Sequence, residues 1–116
     1  KVDYIVDGDT IQLKTDKESD LIRKLSYKIR IRGVDTPEMK GKCKQEKNLA
    51  LKAKNFLIKT IPVDSEIIIK NPQWDKYGGR VLADIEYKGT NIGEMLIEYG
   101  YAIEYFGEKK TKNWCN

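Results

Sequence analysis

The sequence predicts a β-rich α+β domain in which a five-stranded barrel carries two or three helices packed on its outside. Three observations lead to this prediction. Most apolar runs alternate with the period of two that is typical of strands. Only two segments show the period of 3.6 that is typical of helices. The 116 residues are enough for one core but not for two, so we expect residues 1–116 to form a single domain.

The chain begins with a predicted hairpin. A short run, YIV, leads to Asp7, and the next run, TIQLK, places Ile11 and Leu13 on one face and polar side chains on the other. Asp-Gly between two such runs is a common hairpin turn. Residues 15–25 are polar and charged without a clear period, which predicts a loop or a long hairpin tip.

Three later segments also have the composition of strands. Residues 26–34 alternate between a core face and a basic face. Residues 65–70, with three consecutive isoleucines, predict a strand buried on both faces, and residues 80–87 are bounded by turn signals. A further short strand is expected between Tyr101 and Tyr105. In residues 26–34 the apolar face is Tyr27, Ile29 and Ile31, and the basic face is Lys28, Arg30 and Arg32.

Two amphipathic helices are predicted. The first spans residues 45–60 and ends before Pro62. The second lies between Asn91, which has the spacing of a capping box with Glu94, and Gly100, a typical C-terminal stop. The expected core face of the first helix is Leu49, Ala53, Phe56 and Leu57. This order of elements is that of the oligonucleotide/oligosaccharide-binding (OB) fold, and an open α+β sheet is the alternative.

Composition and charge exclude several classes of protein. No run approaches the roughly 20 apolar residues of a membrane span. The 22 basic and 18 acidic residues give a net charge of +4, which suits a polyanionic partner. Six lysines crowd residues 40–54, where a solvated helix and loop is the plainer interpretation. Histidine is absent, which excludes histidine bases, Ser-His or Cys-His nucleophiles and histidine-liganded zinc.

The two cysteines leave two interpretations open. Cys43 and Cys115 are too few for a structural zinc site and lie 72 positions apart. They either remain free thiols or form a disulfide that closes a loop worth roughly 4 kcal/mol. We favour the disulfide, and with it a secreted or extracytoplasmic protein, because the chain begins at Lys1 without a methionine.

Four carboxylates occur at predicted strand ends: Asp7, Asp9, Asp35 and Glu38. Each motif has a simpler interpretation, since Asp-Gly forms turns and Thr36 before Pro37 can cap a helical turn. Converging carboxylates would repel one another unless a cation lay between them. An all-oxygen ligand set favours Ca²⁺ or Mg²⁺. Pro37 also fixes the direction of the Thr36 carbonyl, a further candidate ligand.

Two arginines complete a candidate phosphodiester site. Arg30 and Arg80 carry guanidinium groups, which bind phosphate oxygens in bidentate fashion and stay charged as negative charge develops in a transition state. Taken singly, each is more often a solvated strand residue.

Four stretches, VDGDT, IRIRGVDTPE, DKYGGRVLA and MLIEYGYA, have an order and spacing that resemble the staphylococcal nuclease (thermonuclease) family. The resemblance extends from about Val2 to Phe106. It implies an OB-fold barrel and a Ca²⁺-dependent phosphodiesterase that hydrolyses DNA and RNA and leaves 3′-phosphate ends. We expect a monomer that acts on single- and double-stranded nucleic acids and not on membranes.

The resemblance also implies a role for each matching residue. Asp9 and Asp35 resemble direct calcium ligands together with the Thr36 carbonyl, and Asp7 resembles a carboxylate that acts through water. Glu38 resembles the general base. The other implied roles are phosphate clamping by Arg30 and Arg80, contact with a terminal phosphate by Lys76 and Tyr77, and base stacking by Tyr105 or Phe106, for which core packing is the alternative.

The sequence departs from the family in two places. The family's DKYGR reads DKYGGR here, so an extra glycine precedes Arg80, although Arg80 still lies three residues before Ala83. The chain stops soon after KTKNWC, where longer members continue with a third helix, and we expect Trp114 and a Cys43–Cys115 bridge to fasten this tail.

The sequence is also compatible with two functions other than that of an enzyme. The first is a non-catalytic nucleic-acid or protein-binding module on the same fold. The joint presence of Asp9, Asp35, Glu38 and both arginines favours the nuclease over this module. The second, an adaptor for acidic proteins, depends only on the lysine run.

Overall fold

A computed structural model describes residues 2–13, 28–74, 80–106 and 113–115. The loop expected at residues 15–25, Tyr27, the Gly78-Gly79 turn, and Lys76 and Tyr77 lie outside the described residues. The described elements, in chain order, are β1 (Val2–Asp7), β2 (Thr10–Leu13), β3 (Lys28–Ile31), β4 (Val34–Asp35), α1 (Lys44–Thr60), β5 (Ile68–Trp74), β6 (Val81–Tyr87), β7 (Thr90–Asn91), α2 (Ile92–Glu98) and β8 (Ile103–Glu104).

The main sheet has the strand order β1-β2-β3-β6-β5, with β7 paired to β6. The predicted hairpin is confirmed, since β1 and β2 are antiparallel neighbours. β3 pairs in parallel with β6, so Arg30 lies beside Leu82. The short strand expected between Tyr101 and Tyr105 is present but spans only Ile103–Glu104: this strand, β8, pairs with β4 in a separate two-stranded sheet, with Asp35 opposite Ile103.

The sheet is open. β1 does not pair with β5 but contacts the segment that precedes it: the Val2 N–H donates to the Ser65 carbonyl (3.0 Å), and the Asp64 N–H donates to the Val2 carbonyl (2.8 Å). Among the described residues no ladder continues from these two bonds. The β-rich fold with two helices is therefore confirmed, whereas the closed five-stranded barrel is not.

The prediction for residues 65–70 was wrong in one respect. β5 was expected to be buried on both faces, but Ile68 is 55% exposed and the strand continues to Trp74. It is an edge strand, and its pairing with β6 is interrupted between Lys70 and Gln73, where Asn71 has a φ of 54°. A run of isoleucines shows β propensity, but it does not show whether a neighbouring strand covers it.

The core lies between the sheet and the helices. α1 packs on β1, and α2 packs on β6. The buried members of the core come from β1 to β4, β6, the two helices and the residues that follow the helices: Val2, Ile5, Ile11, Leu13, Ile29, Ile31, Val34, Leu57, Ile61, Ala83, Ile85, Ile92, Leu96 and Ala102. None of the helices among the described residues has the length and apolar character that a membrane crossing requires.

Both predicted helices are confirmed. α1 buries Ala50, Ala53 and Leu57, whereas the expected Leu49 is only half-buried. The Asn91 side chain accepts from the Glu94 N–H (2.9 Å), as the predicted cap requires. Gly100 follows α2 with a φ of 81°, a conformation that glycine adopts without strain.

Candidate active site

The turn between β1 and β2 lies against the body of the protein. The Asp9 N–H donates to Asp7 Oδ1 (3.0 Å), which fixes the two carboxylates relative to each other. A Cβ added to Gly8 would lie 2.9 Å from the Ala53 Cβ and 3.4 Å from the Thr36 Cβ. Glycine is required here for this close approach rather than for a left-handed backbone. Gly8 thus brings the Asp7–Asp9 turn against Thr36 and α1.

β3 presents Arg30 to the same turn. Thr10 lies opposite Arg30 in the sheet, and the Ile31 N–H donates to the Asp9 carbonyl (2.8 Å). Arg30 Nη2 donates to the Val34 carbonyl (3.0 Å) and lies 3.7 Å from Asp9 Oδ2. Both side chains of this ion pair are only 11% exposed, so solvent screens their attraction weakly.

The second acidic motif follows directly. Asp35 and Thr36 are 3% and 2% exposed, and the contact between Thr36 and Gly8 brings the two predicted motifs together. Asp35 pairs through its backbone with Ile103 of β8, which holds this segment in place. Asp7 and Asp35 each end a strand, and Thr36 lies beside the turn that contains Asp9.

Thr10 connects the two arginines through Asp9. Arg80 Nη1 donates to Thr10 Oγ1 (3.2 Å), and the Thr10 hydroxyl donates to Asp9 Oδ1 (2.8 Å). Arg80 and Arg30 therefore approach Asp9 from two sides, despite the extra glycine before Arg80. No local pattern in the sequence predicts the role of Thr10, because its partner lies 70 positions away.

The two aspartates at the turn differ in their affinity for a proton. Burial, followed by a hydrogen bond to Asp9 and the charges of Asp9 and Glu38, raises the pKa of Asp7 to about 7. Burial would also raise the pKa of Asp9, but the hydrogen bond from Asp7, the Arg30 charge, the Thr10 hydroxyl and the Arg80 charge outweigh it and lower that pKa below its ordinary value. The environment therefore favours the charged form of Asp9, whereas Asp7 gains and loses its proton near neutral pH.

Glu46 fixes the loop that contains Glu38. It is buried in the first turn of α1, where Oε2 accepts from the Glu38 N–H (3.0 Å) and Oε1 accepts from the Lys42 N–H (3.2 Å). The Glu38 side chain is left exposed. The sequence analysis missed Glu46, although it is the only acid between residues 39 and 63.

The cysteines anchor the same loop. Cys43 is the N-cap of α1, with its sulfur accepting from the Glu46 N–H (3.4 Å), and it forms a disulfide with Cys115. The neighbouring Trp114 is 9% exposed. The end of the described chain is thereby attached to the start of α1.

The aromatic candidates lie at the turn between β3 and β4. The Tyr105 N–H donates to the Gly33 carbonyl (2.9 Å), and its side chain is half-buried. Phe106 is 68% exposed, and its ring would lie 3.3 Å from a Cβ on Gly33. Both therefore flank the segment that carries Arg30 and Asp35, while Lys76 and Tyr77 lie outside the described residues.

The donor set suits a hard cation in its chemistry. Carboxylate oxygens and the Thr36 carbonyl are the ligand types that Ca²⁺ prefers. Two carboxylates close enough to share a proton also indicate a place where positive charge would be favourable. Within the described ranges, no group of three or more Asp, Glu, Cys or His side chains has the geometry of a metal site. These residue types therefore suit Ca²⁺, and how they would surround the ion belongs to the proposed function.

A comparison with known proteins identifies the family to which the chain belongs. The model of the staphylococcal nuclease homologue family matches residues 28–114. The chain belongs to the staphylococcal nuclease family. All the described site residues except those of the β1–β2 turn and Thr10 lie within the match. The second acidic motif and both arginines thus lie within the matched residues.

Two relatives are similar over most of this nuclease-family domain. The uncharacterized protein MJ1439 of Methanocaldococcus jannaschii is 32% identical over an alignment that covers 97% of this chain and 62% of the relative. Endonuclease YhcR of Bacillus subtilis is 31% identical over 90% of this chain and 9% of its own length. The chain therefore spans less than two thirds of the first relative and about a tenth of the second.

Proposed function

We propose that this domain is a Ca²⁺-dependent phosphodiesterase that hydrolyses DNA and RNA and leaves 3′-phosphate ends. The observation that carries the proposal is the approach of Arg30 and Arg80 to one buried carboxylate, Asp9. Two guanidinium groups around a fixed anion, at an edge that also holds the exposed Glu38, are the parts that a phosphodiester site needs. The family and the relative named an endonuclease support this choice.

The arginines supply the phosphate-binding half of the proposed site. Each guanidinium can donate to two phosphate oxygens and keeps its charge at any physiological pH. Arg30 is held by the Val34 carbonyl, and Arg80 is held by the Thr10 hydroxyl, so both are oriented before substrate arrives. Such preorganised charge stabilises the extra negative charge of the pentacoordinate transition state.

Glu38 is the proposed base. Its side chain is exposed, while the Glu46 carboxylate holds its backbone. In the reaction, a water molecule attacks phosphorus from the side opposite the leaving 5′ oxygen, and Glu38 accepts or orients the water proton. The bond between phosphorus and the 5′ oxygen breaks, so the phosphate stays on the 3′ end of the upstream fragment.

The proposed site also includes a calcium ion. Asp9, Asp35 and the Thr36 carbonyl would hold the ion, with Asp7 acting through water. When bound, the ion would offset the negative charge of the phosphate. Lys76, Tyr77 and Tyr105 are proposed to contact the nucleotide. The Cys43–Cys115 disulfide supports a location outside the reducing cytoplasm.

The test is cleavage of end-labelled single-stranded DNA and RNA with Ca²⁺, with Mg²⁺, and with a chelator. We expect cleavage in Ca²⁺, little in Mg²⁺ and none in chelator. Glu38→Ala should lower the rate by orders of magnitude, whereas exposed Glu66→Gln, which changes the charge by the same amount, should not. If Ca²⁺ leaves the substrate intact while a gel-shift assay shows binding, the domain is a binding module instead.

A further inference from the structure

Residues 39–63, here called the basic segment, carry more than the whole net charge of the chain. Of the 22 basic and 18 acidic residues, seven lysines and one acid lie in this segment, which leaves 15 and 17 elsewhere. The segment therefore has a formal charge of +6, and the rest of the chain has −2. Its single acid, Glu46, is buried and occupied by two backbone N–H groups, so it does not offset the lysines at the surface.

The lysines form a row on the solvent face of α1. Lys44, Lys47 and Lys54 follow one another at helical spacing, with the exposed apolar side chains of Leu51 and Ile58 between and beyond them. Lys44 and Lys47 are exposed, and Lys54 is half-buried. From the first to the last residue of this row the helix rises about 21 Å. A long anion could follow the row, whereas a single small anion could contact only part of it.

The fold itself does not account for these lysines. Lys44 and Lys47 lie in the first turn of α1, where the positive end of the helix dipole disfavours cations. Neither makes an ion pair among the described residues. Their presence is therefore more easily explained by an external polyanion than by the stability of the helix.

The row begins beside the candidate site. The Glu46 carboxylate ties the loop of residues 38–42 to the first turn of α1, and Lys40 and Lys42 lie in this loop with exposed side chains. Lys40 and Lys42 in the loop thus connect the neighbourhood of Glu38 with the lysine row on α1.

We infer that the solvent face of α1 binds the phosphate backbone of single-stranded nucleic acid that extends beyond the scissile phosphate. This inference rests on the proposed function, which it deepens by predicting a substrate longer than the active site itself. The exposed Leu51 and Ile58 provide apolar surface for unstacked bases between phosphates. Binding to this surface does not depend on the nucleotide sequence, because charge and apolar area do not distinguish base edges.

The experiment measures binding without cleavage. Fluorescence anisotropy with labelled oligonucleotides of 16 and 4 nucleotides, in chelator and 50 mM salt, compares the wild type with Lys44→Gln/Lys47→Gln. The control, Lys70→Gln/Lys88→Asn, makes the same change of charge outside the basic segment, and asparagine suits the left-handed backbone of Lys88. The helix variant should unfold at the same or a slightly higher temperature, because it removes cations from the positive end of α1.

We expect the helix variant to bind the 16-mer about tenfold more weakly, with a salt slope shallower by about 1.4, while the 4-mer and the control change less than twofold. Equal 16-mer affinity, an equal loss in the control, or equally tight binding of a 16-residue polyglutamate would overturn the inference. The last result would indicate an acidic protein partner. Absence of cleavage in Ca²⁺ would refute only the proposed function, because these binding measurements do not depend on it.

Discussion

The Thr10 hydroxyl connects two side chains of opposite charge. It accepts from Arg80 and donates to Asp9. A hydroxyl can do both at once because it carries one donor and two acceptor sites. Since Thr10 is 2% exposed, water cannot readily replace it. One buried oxygen atom therefore links Arg80 to Asp9.

Replacement of Thr10 by valine tests this role. Thr10→Val keeps the shape and removes the hydroxyl, so we expect kcat/KM for DNA cleavage to fall about 10- to 100-fold. Thr10→Ser keeps the hydroxyl and should retain most of the activity. Equal activity of the valine variant and the wild type would show that Arg80 is positioned by other contacts.

The raised pKa of Asp7 predicts how stability depends on pH. With a pKa of about 7 in the folded state and an ordinary value of 3.8, the folded protein binds more protons than the unfolded chain between these values. The stabilisation is complete below about pH 4 and is lost as the pH rises through 7. In chelator, the free energy of unfolding by urea should therefore be higher at pH 5.5 than at pH 8.5.

Asp7→Asn is the matched control for that measurement. The variant cannot take up the proton, so its free energy of unfolding should change less between the two pH values. Asp9 does not affect this comparison. Because its pKa is lowered, its contribution to the free energy of unfolding changes only below about pH 4. A wild type that is equally stable at both pH values would show that Asp7 titrates normally.

At the scale of elements, α1 and the β1–β2 turn determine each other's position. Gly8 and Ala53 allow the turn and the helix to approach until a single added Cβ would lie 2.9 Å from its neighbour. Ala53, which the sequence pattern placed on the core face of the helix, is the residue at this close approach.

Gly8→Ala should lower the free energy of unfolding by about 1–3 kcal/mol, because the new methyl group overlaps Ala53. Ala53→Gly alone should cost about 1 kcal/mol through helix propensity. If the overlap is the cause, the double variant will be more stable than the sum of the two losses predicts in chemical denaturation. Strict additivity would place the strain elsewhere.

The sequence predicted those parts of the fold that depend on neighbouring residues. The periods of α1 and α2, the β1–β2 hairpin and the caps at Asn91 and Gly100 are local features, and each is confirmed. The exposure of β5 depends on strand order, which no local pattern records.

The candidate site likewise combines features that a local sequence pattern predicts with contacts that it does not predict. The acidic motifs were visible because carboxylates at strand ends are unusual in sequence. The contacts of Thr10 and Glu46 join residues that are distant in the chain or that resemble ordinary helix and strand positions.

For the whole molecule, the disulfide joins the end of the described chain to the start of α1. The variant Cys43→Ser/Cys115→Ser tests how much the disulfide contributes to stability. Serine is a good N-cap and should keep the cap of the helix. Opening a loop of 72 positions should lower the free energy of unfolding by up to about 4 kcal/mol. Unchanged stability in urea denaturation would indicate that the tail contributes little to the fold.

The central claim is that two arginines around Asp9 form a phosphodiester-cleaving site. Its most direct test is single-turnover cleavage of end-labelled single-stranded DNA in Ca²⁺ by the wild type and by Arg80→Lys. Lysine keeps the charge and loses the planar pair of donors, so we predict 3′-phosphate products from the wild type and a rate at least about 100-fold lower for the variant. Intact substrate with the wild type, or equal rates for the two proteins, would contradict the claim.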